Sequence, residues 1–224
     1  MDDGLNKNDW LNTLYMSQES MRFKDCTKVE INSSEQSEEG IGTTILVSAA
    51  VVTLIFELIN GIYNAADKHK KKQIEKSDEF KKLEKDVNTF VKIILDVSEY
   101  LRKNINKEMY KIDDTNKIVD FSKGIPKYNT KLIVNNIIES IQYDKKNGKK
   151  IDELSCRCIL FDLDGFEYDW KKYDIFEGRR YDDLHDTVIK ILNDFLKQNK
   201  DKKFICDDTG SYEDGIDAYF SYKL

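Results

Sequence analysis

Two pairs of residues in the C-terminal half have the types and spacing that hydrolytic chemistry uses. Arg180 and His185 form an R-x4-H pair, in which the imidazole can act as general acid or base while the guanidinium holds a phosphate through its fork of donors. Asp162 and Asp164, in the string Ile159-Leu160-Phe161-Asp162-Leu163-Asp164-Gly165, place two carboxylates two residues apart. Asp207 and Asp208 would add oxygen ligands for Mg²⁺. Cys156, Cys158 and Cys206 have the donor type for a thiophilic metal, but the first two lie two apart in an expected strand. That spacing puts both thiols on one face, in poor geometry for a disulfide. We expect buried, inert thiols there, and neither a metal nor a cofactor.

The Asp162 to Gly165 string resembles the first motif of the haloacid dehalogenase superfamily, whose first Asp is a nucleophile and whose second is a general acid. The family places Thr after the Gly where this chain has Phe166, and 59 residues follow Gly165, too few for its doubly wound sheet with later Lys and acidic motifs. The Arg180/His185 spacing resembles that of HEPN-type ribonucleases, which implies a nucleolytic toxin acting as a dimer. However, Asp182, Asp183 and Asp186 share the segment; they repel phosphate and suit a helix N-terminus. With no P-loop, dinucleotide glycine motif, His-Glu-x-x-His or Cys-x-x-Cys, the sequence favours a non-enzymatic protein.

The elements that must carry these residues follow from charge and periodicity. The 224 residues carry a net charge of -6, are 35% charged and 11% aromatic, and draw 31 of 36 basic residues from Lys. This is a charge-rich globular composition; nucleic acid is disfavoured as a partner, since phosphate backbones call for a basic face and Arg forks. Residues 1–40, with nine acidic against four basic residues and no apolar core for a cleavable signal, read as an acidic mobile arm. Ile41 to Phe56 contains no charge, and the apolar character runs past Glu57 to Tyr63. A run of about 18 or more apolar residues is a candidate for crossing a bilayer. We therefore expect a transmembrane helix at 41–66, centred on Ile45, Leu46, Val47, Val51, Val52, Leu54, Ile55, Phe56 and Glu57. Lys68, Lys70, Lys71 and Lys72 would anchor it on the cytoplasmic side, leaving the N-terminus outside. The alternative is a helix buried by neighbouring chains in a virion or injection apparatus.

Residues 67–148 read as a helical connector or bundle. Phe80, Leu83, Val87, Phe90, Ile94, Val97 and Leu101 follow steps of three and four, an a/d packing seam. Val91, Ile93 and Leu95 widen it, which suits a bundle better than a two-stranded coil. A helix over about 74–108 and a second over about 128–143 are expected. From 149 to 224 the period changes to two. Strands at 157–163 and 166–173 would flank an Asp164-Gly165 hairpin turn, with Ile159, Phe161 and Leu163 facing the core. A helix at about 180–199 and strands at 203–206 and 216–222 complete a small ββαββ domain. The fold class is α+β: a hydrophobic N-terminal helix, long amphipathic helices and that domain. The expected function is a membrane-anchored protein whose cytoplasmic region binds a protein partner or self-associates, in the extreme into a pore. On the expected sheet, Asp162, Glu167, Asp169, Asp207, Asp208, Glu213 and Asp214 make either an electronegative patch for a basic partner or a solvated face.

Overall fold

The apolar run contains a short helix whose C-terminal end is fixed by a glycine. Ser48, in extended conformation, precedes α1 (Ala49–Asn60), and Gly61 at φ 68° closes it by donating its N–H to the carbonyls of Glu57 and Leu58. This left-handed cap is one that glycine adopts without a Cβ penalty. The structure, a computed structural model, describes residues 47–61, 74–112, 119–163, 166, 179–212 and 215–224. Those residues contain four α-helices and one three-stranded antiparallel sheet, an α+β fold.

α1 is the described part of the expected helix over 41–66, of which residues 41–46 and 62–66 lie outside the described residues. Its 12 residues span about 18 Å, against a hydrocarbon core of about 30 Å. No helix among the described residues is long and apolar enough to cross a membrane. Val47, Val51, Val52, Ile55 and Leu58 are buried, Phe56 packs on Phe80 at 5.9 Å between ring centroids, and the Val47 N–H donates to Asn88 Oδ1 at 2.7 Å. Ile45, Leu46 and the Lys68 to Lys72 cluster lie outside the described residues, as does the arm at 1–40.

The long helix α2 (Asp78–Ile112) organises the rest. Ser77 caps it by accepting from the Phe80 N–H at 3.2 Å, and Asp78 and Glu79 in its first turn suit the positive end of the helix dipole. Phe80, Leu83, Val87, Phe90, Ile94, Val97 and Leu101 are all buried, and the row continues through Ile105 and Met109. A 3-10 turn at Phe121–Gly124 and α3 (Thr130–Lys146), capped by the Asn129 side chain, pack beside it with α1.

The sheet consists of β1 (Glu153–Asp162), β2 (Phe204–Tyr212) and β3 (Gly215–Lys223), in the order β1-β3-β2 with both pairings antiparallel. Phe204, Phe220 and Tyr222 on one sheet face pack with Phe90 of α2. Lys203 Nζ contacts both Asp86 carboxylate oxygens, at 2.9 and 2.8 Å, and so ties the start of β2 to α2. α4 (Arg179–Gln198) lies along α2 and buries Leu184, Val188, Ile191 and Leu192.

β1 pairs with β3, which follows it by more than 50 residues. Of the expected strand at 166–173, only Phe166 is described; its N–H donates to the Leu163 carbonyl at 3.0 Å in a tight turn. The face assignment holds for Phe161 and Leu163, which are buried, and fails at Ile159. The register shifts between Ile159 and Phe161, so one extra residue moves Phe161 onto the face of Cys156 and Cys158. Those three are buried, and Ile159 is left 42% exposed.

Candidate functional site

Among the described residues, Asp162 does not meet Asp208 and Cys206 does not meet Cys156. Asp162 faces Gly215 in register and Asp208 faces Tyr219 on the other side of β3. They are four residues apart along the sheet and two strands across it, about 13 Å by about 10 Å. Asp164 lies outside the described residues. Cys156 and Cys206 flank Phe220 at about two strand spacings, or about 10 Å. Cys156 and Cys158 do meet, with sulfurs 3.6 Å apart, which is contact without a bond. The neighbouring Cys156 thiol and burial raise the Cys158 thiol well above its ordinary pKa, and burial pushes Cys206 up to about 11. No group of three or more His, Cys, Asp or Glu among the described residues is arranged to hold a metal ion.

His185 sits in the first half of α4, with Nδ1 3.4 Å from Asp186 Oδ1. This is a long contact between helix neighbours rather than an orienting bond. Of the Arg180/His185 pair, only His185 has a described side chain. A cavity between α2 and β1, bordered by Ser98, Tyr128 and Cys158, measures about 10 Å³, room for one water at most.

Both edges of the sheet are blunted. Along β1, the Tyr128 hydroxyl accepts from the Ile159 N–H at 2.6 Å and donates to the Ile159 carbonyl at 3.2 Å. Asn136 Nδ2 donates to the Arg157 carbonyl at 3.1 Å. These side chains occupy the places a further strand would take. β2 has a bulge between Cys206 and Asp208, exposes Asp207 and Asp208, and has the Thr209 N–H bonded to Asp208 Oδ1 at 2.9 Å.

The concave surface that stands out lies where the C-terminal end of α2 meets the first half of α4. It is an open groove of about 200 Å³ lined by Glu108, Lys111, Ile112, Asp183, Asp186, Thr187 and Lys190. Helical geometry makes it: Asp183, Asp186, Thr187 and Lys190 stand three, four and seven apart on one face of α4, beside the buried stripe. Glu108 joins the two helices, accepting from Lys111 Nζ at 2.6 Å and from Lys190 Nζ at 2.8 Å. Those two bonds, Lys111 first, lower the Glu108 carboxyl to about 2, and the same contact raises Lys190. Ile112 is 48% exposed at the rim.

Sequence reasoning placed His185 in this segment but missed the groove, because Glu108 and Lys190 are 82 residues apart. The polar row on α4 was the available signal; nothing in the spacing of α2 marks Glu108. No protein-family model, curated protein or solved structure matches this chain.

Proposed function

We propose that the chain is a non-enzymatic protein-binding module that meets its partner at the groove between α2 and α4. The groove itself carries this reading. It is shallow, open and rimmed with charge, with one exposed aliphatic side chain, which resembles part of a protein interface. An enzyme's small-molecule site is typically a deeper, mostly apolar cleft.

The membrane anchor enters as a separate proposal with weaker support. α1 is about 18 Å long, and its apolar side packs on α2. The better supported reading is that protein covers the apolar helix, here the chain's own α2 rather than neighbouring subunits. High-salt and alkaline washes of a membrane fraction containing the full-length chain are expected to release it. Retention through both washes would favour the bilayer reading instead.

The binding reading is tested by capture on the full-length chain, followed by rebinding of the purified candidate partner. Ile112→Asp should abolish direct binding, while Ile159→Asp, on the sheet, should leave it intact. If the two substitutions act alike, the groove is not the interface. RNA cleavage by the purified chain that disappears in His185→Ala would replace this proposal with the nucleolytic one.

A further inference from the structure

We infer that the groove between α2 and α4 receives a cationic side chain, Arg or Lys, carried beside an apolar residue on a segment of the partner protein. This rests on the protein-binding reading above and specifies its chemistry.

The first observation is which charges are already engaged. Lys111 and Lys190 both bond to Glu108, so both of the groove's bases are engaged with one positive charge left over, and Asp183 and Asp186 bring its five charged groups to a net charge of -1. Asp183 takes part in no hydrogen bond or ion pair among the described residues, and the Asp186 side chain is 84% exposed with His185 as its contact. The charge left open to a partner is therefore negative.

The second observation is independent of charge. Thr187 lines the groove and is 5% exposed, yet its hydroxyl has no hydrogen bond among the described residues. The helical threonines Thr53 and Thr89 behave differently, each donating to the carbonyl four residues back at 2.8 Å. The Thr187 hydroxyl itself keeps contact with solvent in the groove and is open to donate or accept.

Two carboxylates and a hydroxyl match the multiple donors of a guanidinium or ammonium, and Ile112 adds an apolar contact at the rim. A second copy of this chain fits less well, because it would bring the same uncompensated aspartates towards each other. A phosphate-bearing ligand would be repelled.

The test is fluorescence anisotropy of the full-length chain with a labelled amphipathic Lys/Leu peptide and with its Glu-for-Lys counterpart. The Lys/Leu peptide should bind. Asp183→Asn with Asp186→Asn should weaken it by about tenfold, on the scale of charge-pair losses at interfaces. Asp207→Asn with Asp208→Asn changes net charge equally at the sheet edge and should shift affinity less than about twofold. Thr187→Val should weaken binding several-fold without changing net charge. Equal losses in the two double variants would mean diffuse attraction to an acidic protein and would overturn the inference. If the Glu/Leu peptide binds as well and Ile112→Asp removes it, the inference falls while the protein-binding reading stands. If neither peptide binds in an Ile112-dependent way, the inference falls, and partner capture decides the broader reading separately.

Discussion

Tyr128 performs with one hydroxyl the work of a neighbouring strand. It accepts from one backbone group of Ile159 and donates to another, so Tyr128→Phe leaves a donor and an acceptor without their partner at the edge of β1. The expected cost is about 1–3 kcal/mol in urea unfolding, together with concentration-dependent association in light scattering as the edge opens. Burial and the Asp207 charge hold the Cys206 thiol at about 11. At pH 8 only about one such thiol in a thousand is thiolate. Alkylation of Cys206 in the native chain should therefore be far slower than in denaturant; equal rates would show that the thiol is not held as described. Gly124 is fixed by contact, since a Cβ there would lie 2.2 Å from the Phe161 ring. Gly124→Ala should destabilise by about 1–3 kcal/mol through overpacking.

Among the elements, α1 provides the sharpest comparison between sequence and structure. A hydropathy pattern registers apolar side chains without distinguishing lipid from protein as the covering medium, so the uncharged run from Ile41 to Phe56 read as a span. What limits the helix is Gly61, whose left-handed conformation is invisible to hydropathy. Ile55 is fully buried, and Ile55→Ala should cost about 2–5 kcal/mol of stability. A change near zero would mean that α1 does not pack on α2. The seam of α2 was legible because a three-four repeat is local, whereas β1 was read as one unbroken alternation, which places Phe161 and Leu163 in the core correctly but not Ile159, on the other side of the bulge at Leu160.

The union of α2 and α4 through Glu108 also predicts a pH response. Its folded pKa is lowered, so its contribution is fully present above the ordinary carboxylate value near 4.5 and is lost as pH falls towards about 2. Thermal melts of the wild-type chain should therefore lose more stability across that window than those of Glu108→Gln. Parallel curves would mean that the two lysines do not hold it.

For the molecule as a whole, the described residues belong to a single compact unit, Glu38–Leu224. Its class was readable from the change of period at about residue 150. The groove was not readable, because it exists only after two helices more than 60 residues apart have docked. Chemistry-bearing residue types were abundant in the sequence, but the register of the sheet keeps Asp162 away from Asp208 and Cys206 away from Cys156.

The sheet order β1-β3-β2 also governs how the chain reaches this state. β1 and β2 are not paired with each other, and among the described residues each has β3 as its neighbouring strand. During vectorial synthesis, β1 therefore emerges more than 50 residues ahead of β3, its pairing strand among the described residues, while α2 and α3 can already form from local contacts. Refolding should show helical signal first and sheet-dependent burial of Cys156 and Cys158 later. The interval between them is when the nascent chain is most exposed to mispairing and has most use for a chaperone.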